Sequence, residues 1–480
     1  MISVLQTLGP IVPEVIIAVT AVVVVLAGPF LPPRGQVLLR WLTAMSLLAA
    51  LAQVVRLNGR WGETFGGMYV RDPLTTALQA IGLLAALFVV CLSVDYVGMP
   101  RFETAEYYAL LLVAALGAML LAASGDLLTI FLGLETLSIP LYVLAAFARD
   151  RVRSQEAGMK YFLLGAFSTA FFLYGLALIY GAVGSTNLAL LASRAATAPR
   201  MLLSGVGLVT IGLGFKAAVV PFHTWAPDVY EGAPLPVTAY MSVIAKVGAF
   251  AALLRVFSIA LLAQTAAWAP LLAAMAIATM ALGNIAALQQ TNLKRLLAYS
   301  SIAHAGFILV GVVAGTRAGV SAVVFYLVAY TFMNLGAFGV LLMLRRAGEE
   351  AESLSDLLGL STRSPLLAAA MTLFMVSLAG LPPTAGFFAK LYVFTAVLDA
   401  GGLVIAIVGV LTTVISVYYY LRVAYTMYVG QPNEEVRIVG SRWTITALVV
   451  TAVGVLAMGI FLSPLTELLQ QVVQVVGSSR

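Results

Sequence analysis

The sequence has little charge and few residues of the kinds that bind metals or form disulfides. Only 10% of its 480 residues are charged and 62% are hydrophobic, whereas about a quarter of the residues in a soluble domain are charged. A water-soluble surface cannot be built from this composition. The single cysteine, Cys91, excludes an intrachain disulfide and a cysteine-ligated cluster or zinc site, and two histidines argue against bis-histidine haem. No G-x-G-x-x-G motif follows a strand, so we expect no dinucleotide or other cofactor in this chain.

Long hydrophobic runs, in contrast, recur along the whole chain. Runs of about 20 residues, separated by turn or charge signals, predict an all-α polytopic membrane protein with fourteen spans and no extramembrane domain. The first run lacks the basic start and the cleavage site of a signal peptide, so we expect it to be retained. The spans are predicted near residues 11–30, 37–55, 74–94, 106–123, 126–147, 156–183, 201–222, 236–262, 268–288, 295–314, 318–344, 365–398, 401–428 and 443–468.

The net charge of +6 comes from basic residues dispersed among short loops, which indicates membrane topology rather than nucleic-acid binding. If the N-terminus lies outside, the inner loops hold Arg34, Arg40, Arg101, Arg149, Arg151, Arg153, Lys294, Arg295, Arg345, Arg346, Arg363, Arg437 and Arg442. The outer loops and C-terminus then hold only Arg56, Arg60, Arg71, Arg194, Arg200, Arg317 and Arg480. This excess favours both termini outside, in agreement with an even number of spans.

Two predicted spans are interrupted by proline within the membrane, at residues 215–221 and 379–386. Each should be broken or kinked. They are the seventh and twelfth spans, and an offset of five helices would place two repeats in opposite orientations across the bilayer. Inverted repeats with discontinuous helices are typical of transporters. The alternative is that each proline kink only shapes the bundle.

Lysine and arginine are placed differently in the chain. Three of the five lysines, Lys216, Lys246 and Lys390, fall inside spans, whereas arginine is predicted in loops and at span ends. Arg255 and Arg422 lie near span ends, from which we expect them to snorkel to the interface. Burial can bring the pKa of a lysine near neutrality, but arginine stays protonated, so only lysine suits a proton relay.

Glu135 is predicted to be the one acidic residue deep in a span, about 13 Å from the helix start and thus near the midplane. An unpaired charge there costs roughly 3 kcal/mol or more, so it should face a lysine, for which Lys216 is the candidate. The alternative is a static ion pair that fixes helix register. Lys246 and Lys390 have no deep acid left to neutralise them, which favours function, and the break before Lys390 frees carbonyls that can hold water around its ammonium.

Three further residues have two readings each. His304 is predicted mid-span, where it suits a proton relay or a hydrogen-bonded core position. His223 follows the proline of the seventh span and is either functional or a loop residue. Lys160 is only about four residues into its predicted span, so it either snorkels to the interface or takes part in function.

Four motifs carry a resemblance to a known family. They are TWAPDVYEGAP at 224–234, GLE at 133–135, NLKRLLAYSS at 292–301 and GLPPTAGFFAK at 380–390. Together they resemble the subunit N family of bacterial NADH-quinone oxidoreductase, respiratory complex I, over about residues 126–395. The related antiporter-like subunits L and M usually carry a different loop in place of the first motif, which is therefore specific.

The resemblance implies a fourteen-helix fold in which helices four to eight and nine to thirteen form inverted repeats. It divides the chain into residues 1–105, 106–262, 263–428 and 429–480. A lysine at position 390 fits subunits N and L rather than M, and the short segment after the last span favours N over L. The roles implied for matching positions are a charge-modulating pair, Glu135 and Lys216; a central proton carrier, Lys246; a carrier toward the outer face, Lys390; and two residues of the hydrophilic axis, His304 and Lys160.

The function implied is proton translocation in the bacterial inner membrane, coupled to electron transfer from NADH to quinone in partner subunits. NADH, FMN, iron-sulfur clusters and quinone would then be bound by a peripheral redox arm and other membrane subunits, including subunit M and small subunits. Two alternatives remain open: a subunit of a multisubunit sodium/proton antiporter, and a subunit of a ferredoxin- or hydrogenase-linked relative.

Overall fold

The computed structural model describes residues 9–32, 35–94, 96, 105–194, 200–346 and 348–461. Thirteen helices in this described part are long and apolar enough to cross a membrane, and a shorter apolar helix, Pro365–Ala379, completes the fourteen predicted spans. The prediction of an all-α polytopic membrane protein is therefore confirmed. Residues 462–468 of the last predicted span, and Arg34, Arg101 and Arg480, lie outside the described residues.

The helix bounds agree with the predicted spans to within a few residues. In chain order the helices are α1 (Val12–Ala27), α2 (Gln36–Arg56), α3 (Pro73–Ser93), α4 (Ala105–Ala122), α5 (Leu127–Ala145), α6 (Val152–Val183), α7 (Leu188–Arg194), α8 (Arg200–Ala217), α9 (Trp225–Gly232), α10 (Leu235–Leu253), α11 (Thr265–Ala287), α12 (Leu293–Val313), α13 (Arg317–Leu342), α14 (Leu360–Arg363), α15 (Pro365–Ala379), α16 (Ala385–Asp399), α17 (Leu403–Tyr428) and α18 (Arg442–Ile460).

Polar residues at the first position of several spans explain where these helices begin. The side chain of the N-cap residue accepts a hydrogen bond from a backbone N–H of the first turn, which would otherwise lack a partner. Each such cap contributes about 1 kcal/mol. The capping residues are Asp72, Asp126, Asn292, Thr316 and Ser441.

Short strands join some of the spans. Strands β1 (Gly62–Thr64) and β2 (Tyr69–Arg71) form an antiparallel hairpin before α3. Strands β3 (Leu344–Arg346), β4 (Glu349–Glu350) and β5 (Val436–Ile438) form a second sheet in the order β4-β3-β5, with both pairs antiparallel. This sheet ties the loop after α13 to the loop before α18.

The interior of the bundle is built around α10, α12 and α13. All nineteen residues of α10 are buried, and α10 packs against α3, α4 and α13. In contrast, α6 and α17 expose large apolar side chains such as Phe167 and Val404, at 66% and 68%. Such faces suit contact with lipid. The residues on α10 and α12 are therefore those most completely shielded from lipid and water.

The seventh and twelfth spans are both broken, as predicted. Helix α8 ends at Ala217, Ala218 has a left-handed backbone with φ 58°, and α9 begins only at Trp225. In the twelfth span α15 ends at Ala379, Gly380 follows with φ 84°, and α16 begins at Ala385. The predicted span reached residue 222, whereas α8 ends five residues earlier, because the turn at Ala218 comes before the proline.

One prediction about buried charge was wrong, and one buried acid was missed. Arg255 does not snorkel: it is 3% exposed, in a π-helical turn, Leu254–Ala260, after α10, and it forms a bidentate pair with Asp72 at 2.5 and 2.8 Å. Glu135 remains the one acid deep within a span among the described residues, but Glu14, in the first turn of α1, is also buried: it is 5% exposed and accepts a hydrogen bond from Tyr69 at 2.8 Å. Both partners come from segments distant in sequence, which no local pattern connects.

Candidate functional site

The buried charges predicted from the sequence lie along a series of contacting polar and aromatic side chains through the bundle. Glu135 and Lys216 line one small cavity between α5, α6 and α8. The Glu135 carboxylate is half-buried and accepts a hydrogen bond from Thr169 at 2.7 Å. Although both residues are described, they form no ion pair within 4 Å. The two charges are therefore neighbours that face a shared space, not a closed pair.

Aromatic rings surround the Lys216 ammonium. Lys216 is 3% exposed, and its Nζ lies 4.9 Å from the centre of the Tyr161 ring and 5.2 Å from that of Tyr142. It also donates a hydrogen bond to the Tyr161 hydroxyl at 3.3 Å. These contacts hold a buried cation without a carboxylate in direct contact, because the ring faces are electronegative.

The TWAPDVYEGAP motif supports this site through Trp225, the first residue of α9. Its ring stacks on Tyr161 with 4.2 Å between centroids, and its Nε1 donates to the carbonyl of Phe215 at 2.9 Å. That carbonyl also accepts from the Ala218 N–H at 3.0 Å in the turn where α8 ends. The tryptophan thus adds a second hydrogen bond at the break and fixes the tyrosine that contacts Lys216.

Lys246 lies in the middle of α10 and is 2% exposed. Its Nζ is 5.9 Å from the centre of the Tyr330 ring. The Tyr330 hydroxyl donates to Ser301 at 2.9 Å, and Tyr230 shares the same serine hydroxyl at 3.2 Å. Three hydroxyls therefore lie between the end of α9 and the central lysine.

His304 is confirmed as a buried residue in the interior and is placed between the central and the last lysine. Its Nδ1 lies 2.8 Å from the Tyr326 hydroxyl and its Nε2 lies 3.1 Å from the Tyr420 hydroxyl. The Tyr330 ring that faces Lys246 is also 5.3 Å from the imidazole. Both ring nitrogens are thus hydrogen-bonded, which suits a relay and equally satisfies a core histidine.

Lys390 lies in α16 directly beside the break of the twelfth span. It is 4% exposed, donates to the carbonyl of Ala379 at 2.9 Å and lies 4.7 Å from the centre of the Phe307 ring. We expected freed carbonyls at this break to act through water, whereas here one binds the ammonium directly. The left-handed turn at Gly380 makes the approach feasible, since a Cβ there would lie 2.8 Å from Cδ of Lys390.

Lys160 and His223 are not brought to this buried series. Lys160 is in the ninth position of α6, its side chain is 42% exposed, and it pairs with Glu156 at 2.7 Å and with Asp228 at 2.9 Å. Asp228 also binds Arg295 at 2.7 Å. His223 is half-buried in the linker between α8 and α9. The structure thus gives Lys160 an ion-pair network with Glu156 and with Asp228 of α9, and both residues keep two readings.

One cluster of charged residues was missed from the sequence. Lys294, at the start of α12, donates to Glu350 at 2.9 Å, to Glu352 at 3.2 Å and to the carbonyl of Ala233 at 2.7 Å. Burial alone would raise the pKa of Glu350, but Lys294 and the hydrogen bond from Tyr96 outweigh it and lower that pKa to about 2. The signal was present in the acidic loop after α13, but its partner lies 56 residues earlier in the chain.

Comparison with known proteins identifies the class. Residues 124–416 match the family model of the membrane subunits of NADH:quinone oxidoreductase and Mrp antiporters. The chain belongs to this family. Within it, the chain is 46% identical over 474 residues to NADH-quinone oxidoreductase subunit N of Trichlorobacter lovleyi, with 98% of this chain and 97% of the relative covered.

Solved structures share the fold. A chain of respiratory complex I from Thermus thermophilus with bound aureothin is 38% identical, with a TM-score of 0.82 and coverage of 94% of this chain and 97% of that one. A chain of the Mrp complex from Dietzia sp. DQ12-45-1b has a TM-score of 0.84 at 23% identity and covers 98% of both chains, a likeness of fold alone.

Proposed function

We propose that this chain is the proton-translocating subunit N of a bacterial NADH-quinone oxidoreductase. The observation that carries this proposal is the burial of Lys216, Lys246 and Lys390 with no carboxylate in ion-pair contact among the described residues. Buried lysine without such a partner is costly and exchanges protons readily. The similarity to subunit N and to a chain of complex I, over nearly the whole chain, supports the assignment to this enzyme.

The chain takes part in this enzyme without redox chemistry of its own. NADH, FMN, iron-sulfur clusters and quinone belong to partner subunits, namely a peripheral redox arm and the other membrane subunits. No group of three or more histidine, cysteine, aspartate or glutamate residues that could hold a metal occurs among the described residues. The contribution of this subunit is to accept, hold and release protons.

Protons pass from the inner side through Lys216 and Lys246 to Lys390 and then outward. Tyr330 and His304 lie between the last two lysines. The Tyr330 ring faces Lys246 and is 5.3 Å from the His304 imidazole, and the Phe307 ring contacts both His304 and Lys390. Glu135 faces the same cavity as Lys216, so a change in their separation would change how firmly Lys216 holds its proton. The open geometry of this pair favours such switching over a static ion pair.

The chain lies in the bacterial plasma membrane with both termini outside. Thirteen of the loop cations then lie on the inner side, as the positive-inside rule requires. The two broken spans belong to two inverted repeats, residues 106–262 and 263–428, preceded by 1–105 and followed by 429–480. Each repeat thus contributes one discontinuous helix beside a buried lysine.

Replacement of Lys246 tests the proposal. In the assembled complex, Lys246→Ala should abolish NADH-driven proton pumping and lower coupled quinone reduction by about a hundredfold or more, since a positioned proton carrier contributes about that factor. Pumping is measured with a pH-sensitive dye in inside-out membrane vesicles. Lys246→Met, which keeps the length of the side chain but not its charge, should behave alike. Full activity in either variant, at normal complex content, would exclude the proposal.

The Mrp-type antiporter is the second candidate, because it shares the fold. The TWAPDVYEGAP motif and the 46% identity to subunit N favour the respiratory enzyme. Purification of the native complex distinguishes the two: copurification with flavin and iron-sulfur absorbance supports the first, and sodium-dependent proton exchange without these chromophores supports the second.

A further inference from the structure

A large polar cavity lies at the face of the protein that holds most of the loop arginines. Its volume is about 680 Å³, and Lys294, Glu350 and Glu352 form one of its walls. Glu231 and Gly232, the last two residues of α9, form another. The cavity therefore opens beside the junction of α9 and α10, and α10 is the helix that carries Lys246.

The cluster is bound tightly to that junction. Glu350 accepts a hydrogen bond from the backbone N–H of Leu235, the first residue of α10, at 3.0 Å, and Lys294 donates to Ala233 at 2.7 Å. Lys246 lies eleven residues further along α10, or about 17 Å along its axis. A change in the charge of this cluster therefore occurs at the N-terminal end of α10, the helix that carries Lys246.

A series of hydroxyl groups leads from α9, whose last two residues line the cavity, toward Lys246. Tyr230 directly precedes the α9 residues that line the cavity, and its hydroxyl contacts Ser301 at 3.2 Å. Ser301 accepts from Tyr330 at 2.9 Å, and the Tyr330 ring faces Lys246. Tyr230, Ser301 and Tyr330 are each almost completely buried. The hydroxyls form a polar file in an otherwise apolar interior.

We propose that Glu352, held by Lys294 beside Glu350, is the group that collects protons from the inner solution and loads the hydroxyl file toward Lys246. This inference rests on the proposed function. The Glu352 carboxylate takes a proton from water in the cavity and returns to its ionised form when the proton moves on, so no other reactant is needed. Its side chain is 23% exposed, whereas those of Lys294 and Glu350 are 2% exposed, so it alone of the three reaches the water.

The surroundings of the two carboxylates shift their pKa values in opposite directions. Burial and the adjacent charge of Glu350 raise the pKa of Glu352, although Lys294 opposes this shift. Glu350, with its pKa near 2, stays ionised throughout the range in which the enzyme works. Glu350 is thus a fixed anion and Glu352 the group that titrates. The other charged groups that line the cavity are Arg151, Arg153, Glu231, Arg346, Glu349 and Asp356.

Glu352→Gln in the assembled complex tests the proposal, with inside-out vesicles that expose this face to the buffer. NADH-driven turnover should fall about tenfold, less than a full general-acid contribution because water can replace the donor in part. The deficit should grow as the buffer becomes alkaline, since hydronium becomes scarcer. Formate, a small weak acid that the cavity can admit, should restore part of the turnover, and Glu352→Asp should keep most of it.

Two further variants make the outcomes separable. Glu434→Gln removes an exposed carboxylate outside the cavity and should leave turnover unchanged. Lys246→Ala reports on the proposed function itself.

If Lys246→Ala is inactive and Glu352→Gln matches Glu434→Gln, the loading role is wrong and the proton-carrier role stands. A Glu352→Gln deficit that is equal at every pH and unaffected by formate would show a purely structural role and would also overturn the proposal. If Lys246→Ala pumps normally, the proposed function fails first.

Discussion

The five lysines of this chain occupy three kinds of surroundings. Lys216, Lys246 and Lys390 are buried among aromatic rings, hydroxyls and one carbonyl, and no carboxylate of the described residues forms an ion pair with them. Lys294 is buried but paired with two carboxylates, whereas Lys160 is paired and 42% exposed. Only in the first group is the positive charge of the ammonium incompletely stabilised by the protein. Such an ammonium can release its proton.

The surroundings of Lys160 lead to a prediction that separates its two readings. Exposed ion pairs contribute about 0–1 kcal/mol, and Asp228 keeps Arg295 as a partner when Lys160 is removed. Lys160→Ala should therefore retain most of the NADH-driven pumping and assemble normally. Pumping by vesicles with equal complex content is the measurement, and a loss as severe as that of Lys246→Ala would place Lys160 on the proton route.

The sequence predicted the buried lysines because a charge inside an apolar run is conspicuous. It did not predict what surrounds them. Tyr330 reaches Lys246 from α13, and Trp225 supports Lys216 from α9 by stacking on Tyr161 of α6. Such contacts depend on helix packing, which an apolar pattern with little periodic variation does not specify. Ion pairs such as that of Lys294 with Glu350 were not predicted for the same reason.

The broken helices are the elements that turn an apolar bundle into a site. At both breaks a side chain donates to a carbonyl near the end of the first half-helix: Trp225 to Phe215, and Lys390 to Ala379. The prolines allowed both breaks to be predicted, because proline cannot continue the hydrogen-bond series of a helix. The exact end of α8 was not predictable, since Ala218, with φ 58°, carries no local signal for a left-handed turn.

Gly380 tests how the second break positions Lys390. In Gly380→Ala the new Cβ would lie 2.8 Å from the lysine side chain. The alanine backbone would also have to adopt φ 84°, which is unfavourable by about 1 kcal/mol or more. We expect Lys390 to be displaced from the Ala379 carbonyl. Pumping should therefore fall severalfold, more than the loss of stability alone would cause.

Gly401→Ala is the matched control for Gly380→Ala. Gly401 has nearly the same backbone angle, φ 83°, but nothing lies within 4 Å of its Cβ position. Its alanine variant should lose a similar amount of thermal stability and keep its pumping. Equal pumping by the two variants would mean that contact with Lys390 at the break is unimportant.

At the scale of the whole molecule, buried ion pairs join segments that are far apart in sequence. Asp72, at the start of α3, binds Arg255, which follows α10, and both side chains are at most 4% exposed. The carbonyl of Ala122, at the end of α4, also accepts from Arg255, at 2.9 Å. This one residue thus connects the N-terminal spans to the helix that carries Lys246. Such a connection fixes the end of α10 against α3 and α4.

Removal of one partner from this pair should be far more harmful than removal of an exposed pair. Asp72→Asn leaves the Arg255 guanidinium buried without its counter-charge, a change that costs about 3–5 kcal/mol, while asparagine can still cap α3. Glu435→Gln, in contrast, breaks an exposed pair: the side chains of Glu435 and Arg346 are 67% and 46% exposed, so its loss should leave stability nearly unchanged.

Thermal denaturation of the purified complex, followed through this subunit by site-specific proteolysis, measures both variants of this comparison. We expect a marked decrease in the denaturation temperature for Asp72→Asn and nearly none for Glu435→Gln. Similar temperatures for the two would mean that Arg255 finds water or another acceptor when Asp72 is neutral. The N-terminal spans would then be held by apolar packing alone, and the ion pair would not be what fixes α10.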